Sequence, residues 1–489
     1  MRIARISAGA LLIVVSLASL LRFQPILELF SFLSPDGNIT ALMQLSLRLC
    51  LISLGAVGLC LILFPALSKL AVSINAALMK PGRGKFLWYA LGTAALLRTA
   101  VVLFVPLNLW ADYRFYDELG WQWALKGGYY NGDHLTAYWP PAYPFVLSRL
   151  YLLFGHVQYL GGVLNIPLGT GIVVFTYLIV RRCWDESVAR WTTLIVALFP
   201  SQIFFTYLPA SEILFTFLLL ASILSFLTLD RKLTGKWYQV LLGGILLGLA
   251  TLTRVISKLL LVVIIPFWLW ETKDLSRTIK YGLVALCGFG LVIVPWMVRN
   301  YQAVGVAKIN TNTGINLFIG NQPGSGMGYN SNIATQYDMN SPGQEADIDS
   351  ASWHRALDYI YERPGAFLLR GLAKTAFFYA GDTDPLQFDL QIAAEESRFN
   401  YAVAWSVLAQ SYYIVVLVAA LLGLIIFFRS GPAIRHPRGY LLLGIILYWT
   451  AVHFVFYGVG RYHFPIIPII SAFAALYIKS VVDKRIKMY

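Results

Sequence analysis

Asp112 opens the segment DYRFYDELGWQWALKGGYY directly after the hydrophobic stretch Trp88–Trp110. An ionisable side chain at a membrane boundary costs free energy unless it has a partner or a function. A carboxylate in that position can accept a proton from a hydroxyl group, while the neighbouring aromatic rings pack against sugar faces. Asp117 and Glu118 follow within about two helical turns and compete for the same role. These three acids are therefore the candidates for base chemistry at the water interface.

A plainer interpretation exists for each of these acids. The sequence predicts a helix with Asp112 in the N-cap position and with Gly127 and Gly128 at its end. An N-cap residue stabilises a helix by about 1 kcal/mol and needs no further function. Asp117 and Glu118 are the kind of side chain that usually lies on a solvated helix face.

Four cations at the predicted outer boundary form a second group. Arg254 and Lys258 are four residues apart where two predicted spans meet, Arg299 ends the next span, and Arg461 precedes the last one. Together they would suit an anionic headgroup such as a lipid phosphate. Alternatively, each side chain reaches the membrane surface independently. Arg254 and Arg461 are the favoured phosphate ligands, because each lies in a very short outer turn.

The signals for a metal or nucleotide site are weak. No pair of histidines has the His-x-x-x-His spacing of a metal site, and the four cysteines lie elsewhere in the chain. GNQPGSGMG lacks the preceding strand and the closing Lys-Ser or Lys-Thr pair of a phosphate loop. We therefore expect no cofactor, although a divalent ion held by outward-facing acids stays open.

The elements that must position these residues are membrane helices. The chain has 489 residues, is 58% hydrophobic and 13% charged, and has a mean hydropathy of +0.66, which is typical of an integral membrane protein. A spanning helix needs about 20 apolar residues. About twelve such stretches occur, near 7–30, 41–66, 87–109, 157–180, 187–207, 209–229, 237–253, 255–271, 280–298, 402–428, 440–457 and 463–480.

The positive charge indicates orientation rather than nucleic-acid binding. Alternate polar breaks hold 22 of the 38 Lys and Arg residues and 6 of the 24 acids. This asymmetry follows the positive-inside rule and places both termini in the cytoplasm. The Asp112 segment and residues 300–400 then face outward. The sequence predicts a multi-pass protein of the bacterial inner or plasma membrane, with membrane lipid and no nucleic acid among its partners.

Three outward segments interrupt the short turns, and the third is the short stretch FYGVGRYHFP between the last two spans. In the first, 110–159, an aromatic helix is followed by PFVLSRLYLLFG, which is too short to cross and predicts an interfacial or re-entrant helix. The second, 300–400, has the composition of a small cap lying on the membrane. We therefore divide this all-α polytopic chain into two additional helices (1–86), a core (87–299), the cap (300–400) and C-terminal helices (401–489).

Several motifs together carry a resemblance to a known family. The Asp112 segment and the YWPPAYPFVLSRLYLLFG stretch resemble the first outer loop of the GT-C membrane glycosyltransferases. Within that superfamily they are most similar to the family 39-like bacterial enzymes, relatives of protein O-mannosyltransferase and the lipid A aminoarabinose transferase. Further matches follow in order: YLPASEILFTFLLL, GLATLTRVISKLLL, PWMVRNYQAVG, INTNTGINLFIGNQPGSGMGY and GRYHFPIIPII.

The resemblance implies a GT-C fold and an inverting transferase. Such an enzyme takes a sugar from a polyprenyl-phosphate carrier and passes it to an acceptor hydroxyl of a protein, lipid or glycan on the outer face. It implies that Asp112 is the general base and that Arg254 and Arg461 hold the carrier phosphate. Through the same motifs, Tyr143 and His463 join Lys258, Arg299, Asp117 and Glu118 as candidate substrate contacts. Residues 1–86 have no counterpart in the resemblance.

Two other functions remain open from the sequence. A transporter or flippase of lipid-linked sugars would use a similar basic and aromatic boundary to bind a headgroup. Transporters usually place polar groups near the middle of the membrane, whereas these candidates cluster at the outer boundary apart from Arg48 and Arg98. A PIG-V-like mannosyltransferase would change only the sugar and the acceptor.

Overall fold

The protein folds into a bundle of α-helices with one short β-hairpin. The computed structural model describes residues 2–25, 41–227, 237–326, 328–329, 344–386, 399–431 and 434–487. In chain order the helices are α1 Arg2–Leu21, α2 Ala41–Ile62, α3 Phe64–Met79, α4 Arg83–Phe104, α5 Ala111–Lys126, α6 Ala142–Phe154, α7 Leu160–Cys183, α8 Glu186–Ala197, α9 Pro200–Phe204, α10 Ser211–Leu227, α11 Trp237–Thr253, α12 Leu261–Thr272, α13 Leu275–Val304, α14 Thr313–Gly320, α15 Glu345–Glu362, α16 Pro364–Ala380, α17 Phe399–Arg429, α18 Pro437–Val455 and α19 Ile467–Ile486.

Short elements connect several of these helices. Strands β1 Tyr130–Asn131 and β2 His134–Leu135 pair antiparallel between α5 and α6. Three segments of 3-10 helix occupy Phe205–Tyr207, Val255–Leu259 and Gly460–Ile466. The segment Val255–Leu259 directly follows Arg254, and the segment Gly460–Ile466 contains Arg461. The two arginines therefore lie in tight turns between long helices.

The expected count of about twelve spans is not confirmed. Within the described residues, eight helices are long and apolar enough to cross a membrane, or ten if each of two bent pairs is one span. The pairs bend by 78° between α2 and α3 and by 56° between α8 and α9. The remaining two predicted spans are the shorter apolar helices α10 and α11. Hydropathy located these segments but did not reveal the bends.

The C-terminal helix lies at the centre of the bundle. Of the span Gly460–Ile486, 72% of the most apolar window is buried inside the protein, against 22% for the window in α4. Helix α19 packs between α17 and α8, and α7 joins α8, α4 and α10 into the same core. A helix that is apolar on every side belongs in such a position. The central helix thus fixes the preceding turn, which carries Arg461.

The additional N-terminal helices pack at the edge of the bundle. Helix α1 crosses α2 where Gly9 and Gly58 meet, since a Cβ atom on either would lie 2.6 Å from the other's carbonyl oxygen. Such small residues let helix backbones approach closely in a membrane. Helix α2 in turn packs on α17, and the Cys50 thiol donates to the Ala380 carbonyl at 3.1 Å.

Helix α5 has the predicted end but not the predicted start. It stops at Gly127, whose φ of 68° is in the left-handed region that favours glycine. Its N-cap is Trp110, so Asp112 lies in the first turn and the predicted N-cap position of Asp112 is wrong. Ala111 has a φ of 46°, which is rare for a residue with a side chain. The Asp112 side chain is consequently free to point away from the helix end.

The cap is fastened to the first outer loop. The Glu345 carboxylate of α15 accepts hydrogen bonds from the Thr136 hydroxyl at 2.8 Å and the Ala137 main-chain N–H at 2.7 Å. The Thr311 N–H, just before α14, donates to the Ala137 carbonyl at 3.0 Å. Helices α14 and α15 also pack on each other. We call the end of the bundle that carries α5, α6, α14 and α15 the cap end.

Candidate active site

Asp112 and Arg461 meet at the cap end. They are 349 residues apart in the chain, and Arg461 Nη2 donates a hydrogen bond to Asp112 Oδ2. The Asp112 side chain keeps 36% of its surface exposed, whereas that of Arg461 keeps 16%. A half-exposed carboxylate with one charged partner can still meet a ligand from solution. The convergence predicted for these two residues is therefore present in the structure.

Glu212 joins Arg461 to Arg254. Glu212 lies in the first turn of α10 and is 2% exposed. Its Oε1 atom accepts from Arg254 Nη1 at 2.6 Å and lies 4.0 Å from Arg461 Nε. Burial acts to lower the pKa of Arg254, but the Glu212 carboxylate together with Tyr116 and Tyr462 outweighs it, and the pKa of this guanidinium is raised. A buried carboxylate between two arginines keeps both charged and holds them side by side.

Tyrosines surround the two guanidinium groups. The ring of Tyr462 lies 5.1 Å from the Arg254 guanidinium and 5.4 Å from that of Arg461, within the range of a cation–π contact. The Tyr462 hydroxyl is 3.2 Å from that of Tyr457. Burial raises the pKa of Tyr113, and it raises the pKa of Tyr116 to about 12. These phenols stay neutral and provide hydroxyl groups around the charged pair.

A second acid approaches Arg461 from the segment between α16 and α17. Asp384 is half-buried and accepts a hydrogen bond from the Arg461 main-chain N–H. A Cβ atom on Gly460 would lie 2.3 Å from the Gly381 carbonyl and 2.7 Å from Asp384 Oδ2, so only glycine fits there. Burial raises the pKa of Asp384 to about 6, although Arg461 and His463 act to lower it.

Asp117 and Glu118 lie apart from this cluster. Asp117 is 4% exposed, and it accepts from the Tyr151 hydroxyl at 2.5 Å and lies 2.9 Å from His156 Nε2. It thus fastens α5 to α6 and to the turn after α6. Glu118 is exposed and accepts from Gln122 at 2.7 Å. The contacts of both acids stabilise the local structure.

Arg299 and Lys258 are not brought to the two arginines. Arg299 donates to the carbonyls of Thr136 at 2.6 Å and Tyr129 at 3.0 Å, and its guanidinium lies 4.8 Å from the Trp296 ring. It therefore holds the first outer loop against α13. Lys258 has an exposed side chain on the 3-10 segment after Arg254.

Tyr143 and His463 are buried beside the site rather than exposed in it. Tyr143 is 0% exposed and its ring meets the edge of the Tyr116 ring at 5.5 Å. His463 is also 0% exposed, with Nδ1 donating to the Phe378 carbonyl at 2.8 Å and Nε2 3.1 Å from Asp382 Oδ1. Each supports a neighbouring residue of the cluster.

Sequence reasoning did not select Glu212 or Asp384. The available signal for Glu212 was a single acid at the start of an apolar helix, in the quoted motif YLPASEILFTFLLL. For Asp384 no comparable signal existed, because GDTDP has the composition of an ordinary loop. Its position becomes evident only when Gly460 is packed against it.

The donor set is a poor match to a divalent cation. Among the described residues, no three His, Cys, Asp or Glu side chains form a group that could hold a metal ion. Asp112 and Glu212 each face a guanidinium group, whose charge repels a cation. The divalent ion left open from the sequence stays a prediction.

One protein family matches the middle of the chain. Residues 139–298 match the family described as dolichyl-phosphate-mannose-protein mannosyltransferase. The comparison with curated proteins found no match. The matched region contains Glu212 and Arg254, while Asp112 and Arg461 lie outside it.

One solved structure shares the fold at a TM-score of 0.50, and a second aligns more weakly. The apo oligosaccharyltransferase of Archaeoglobus fulgidus aligns with a TM-score of 0.50 and 14% identity, over 82% of this chain and 51% of that one. This chain therefore spans about half the length of that protein. ArnT from Cupriavidus metallidurans bound to undecaprenyl phosphate gives a TM-score of 0.40 and 12% identity, over 83% of this chain and 79% of that one.

Proposed function

We propose that this chain is a membrane glycosyltransferase of the GT-C superfamily, and that it moves a sugar from a polyprenyl-phosphate carrier to an acceptor hydroxyl, with inversion at the sugar carbon. The observation that carries the proposal is the cluster of Asp112, Arg461, Glu212 and Arg254. It combines one half-exposed carboxylate with two guanidinium groups held together by a buried acid. A phosphate and a hydroxyl are the groups that such a cluster suits.

In this mechanism Arg254 and Arg461 bind the carrier phosphate. Two guanidiniums provide a planar array of donors for phosphate oxygens. They stabilise the negative charge that develops on the phosphate as its bond to the sugar carbon breaks. Glu212 positions both groups and does not contact the donor.

Asp112 acts as the general base. The acceptor hydroxyl attacks C1 of the sugar, its proton passes to Asp112, and the electron pair of the breaking C1–O bond stays on the phosphate. In the structure Asp112 is paired with Arg461. The donor phosphate must therefore attract Arg461 before the carboxylate is free to accept the proton.

The lipid-linked donor is proposed on the chemistry of the cluster and on the matched family. That family is described by dolichyl phosphate mannose, a sugar on a polyprenyl phosphate. The outward orientation is proposed on the excess of basic residues in alternate polar breaks of the sequence. The acceptor, whether protein, lipid or glycan, would enter beside the exposed face of Asp112 and under the cap.

Consumption of the donor distinguishes this proposal from a transporter or flippase. Lipids of a strain that lacks the gene are analysed by mass spectrometry for an accumulating polyprenyl-phosphoryl sugar. Purified protein in detergent is then given that lipid and a membrane extract from the same strain. We expect conversion to polyprenyl phosphate, because micelles have no two sides across which transport would occur. A donor that stays intact, while reconstituted vesicles translocate it, would favour the transporter.

A further inference from the structure

Asp384 lies against the proposed phosphate site and has no role in the transfer step. It accepts a hydrogen bond from the Arg461 main-chain N–H, and it lies where a side chain on Gly460 would be. Arg461 therefore has a carboxylate at each end, Asp112 at its guanidinium and Asp384 at its backbone. An acid in this position senses the charge of whatever Arg461 binds.

The segment that carries Asp384 is held firmly in place. Gln410 accepts from the Asp382 N–H at 2.9 Å and donates to the Ala380 carbonyl at 2.7 Å. On the other side, the Tyr207 hydroxyl donates to the Pro385 carbonyl at 3.0 Å. With both flanks tied to neighbouring helices, Asp384 cannot swing away from Arg461 when an anion arrives.

The charges of the cluster do not balance when all its acids are ionised. Asp112, Glu212 and Asp384 supply three negative charges, against two positive charges on Arg254 and Arg461. Asp112 and Glu212 each accept a hydrogen bond from a guanidinium, whereas the bond to Asp384 comes from a peptide N–H. A phosphodiester would add a further negative charge. Asp384 is the carboxylate whose charge the arginines compensate least directly.

The surroundings of Asp384 raise its pKa toward physiological pH, so that a further shift would protonate it. Burial raises its pKa to about 6, with Asp382 adding to the increase and with Arg461 and His463 acting against it. Tyr113 of α5 also faces this carboxyl group. A unit negative charge about 8 Å away, at an effective dielectric constant of about 20, would raise the pKa by about 1.5 more.

We propose that Asp384 takes up a proton from solvent when the donor phosphate binds to Arg254 and Arg461, so that donor binding is coupled to protonation. The inference rests on the proposed function. Thermodynamic linkage then requires donor affinity to fall as the pH rises from about 6 to about 8, by up to about tenfold per pH unit. Loss of the phosphate from the site returns the proton to solvent.

The test uses undecaprenyl methyl phosphate, a phosphodiester that keeps one negative charge throughout this pH range. Binding to the full chain in detergent is measured by calorimetry near pH 7, in two buffers that differ in their heat of ionisation. We expect uptake of about half a proton or more, and an affinity at least about tenfold weaker near pH 8 than near pH 6. Binding without proton uptake overturns the inference and leaves the proposed function intact. A probe that does not bind at either pH contradicts both.

The variant Asp384→Asn tests whether Asp384 is the residue that takes up the proton. The Asn carbonyl can still accept from the Arg461 N–H, but the charge is lost. The variant should bind the probe near pH 8 about as tightly as the unaltered protein does near pH 6, with no proton uptake. Asp133→Asn is the control. The Asp133 carboxylate lies on the hairpin and is 93% exposed, so this variant loses one solvent-exposed acid and should keep the full proton uptake. Proton uptake that persists in Asp384→Asn would overturn the inference. If this variant does not fold, calorimetry on the unaltered protein still decides whether donor binding takes up a proton.

Discussion

Asp112 and Asp117 lie on the same helix, five positions apart, in opposite surroundings. Asp117 is buried and both of its oxygens have neutral or aromatic partners, the Tyr151 hydroxyl and the His156 ring. Asp112 is partly exposed and has a cation as its partner. A satisfied, buried carboxylate stabilises the fold, whereas an exposed carboxylate beside an arginine is available for chemistry. The contrast shows that the bonding partner of a carboxylate, more than its residue type, distinguishes an acid that stabilises the fold from one that is available for chemistry.

The arginines show the same contrast. Arg299 donates hydrogen bonds to two main-chain carbonyls of the first outer loop, so its guanidinium stabilises the fold. Arg254 and Arg461 contact carboxylates and a tyrosine face, in a cluster that an incoming anion can enter. Four cations looked alike in the sequence, and only two of them form this cluster.

The largest expected effect is that of Asp112→Asn on turnover. Loss of a general base lowers kcat by about 10²- to 10⁴-fold. Transfer from the accumulated lipid-linked sugar is measured with purified protein, and the binding of undecaprenyl methyl phosphate is measured beside it. Donor binding should be retained or tightened, because the variant frees Arg461. Turnover within a few-fold of the unaltered protein would remove Asp112 from the mechanism.

Arg461→Gln should next weaken donor binding. A charge-assisted hydrogen bond contributes about 1.5 to 3 kcal/mol, which corresponds to about a 10- to 100-fold change in Kd. Lys258→Gln is the matched control, since it removes an exposed cation from the same end of the bundle. We expect it to change the Kd by less than about threefold. Equal losses in the two variants would indicate general attraction to a basic surface instead of a defined site.

Asp117→Asn should affect folding rather than transfer. It replaces a carboxylate that holds Tyr151 and His156, and breaking a buried hydrogen bond to a charged group costs about 1 to 3 kcal/mol. Thermal unfolding in detergent measures the loss of stability. Donor affinity of the folded fraction should be unchanged. A loss of turnover without a loss of stability would show that Asp117 takes part in transfer, and it would contradict the contrast with Asp112.

Gly460→Ala should lower transfer, but less than Asp112→Asn does. Its new methyl group would meet the Gly381 carbonyl and the Asp384 carboxylate, so the turn that carries Arg461 must shift. Displacement of a positioning group by a fraction of an ångström should lower kcat/KM by about tenfold. Gly431→Ala, where a Cβ atom meets nothing within 4 Å, is the control. Activity equal to that of the control would show that the turn tolerates the shift.

The class of fold was predictable from the sequence, because hydropathy and charge asymmetry act along the chain. Each of the twelve predicted segments is helical in the described residues, but two pairs of helices bend. One helix of each bent pair, α3 and α8, packs on α19, and no local pattern in the sequence contains such contacts. The segment after Pro141, predicted as an interfacial or re-entrant helix, is helical as α6, and its position relative to the membrane stays a prediction.

The site was predictable only in part. Asp112, Arg254 and Arg461 were selected because each is an ionisable residue at a boundary, and the structure brings them together. Glu212 and Asp384 were missed, because their relevance arises from contacts across the bundle. Asp117, Arg299 and His463 were selected on type and position, yet their partners in the structure are those of packing residues.

The location of the carrier phosphate tests the central claim most directly. An experimental structure of the protein with undecaprenyl phosphate should place the phosphate within hydrogen-bonding distance of both Arg254 and Arg461, about 2.7 to 3.2 Å between heavy atoms. Asp112 should then be released from Arg461 and face the space where an acceptor hydroxyl would lie. A phosphate bound beside Arg299 or Lys258, with the Asp112–Arg461 pair unchanged, would contradict the account.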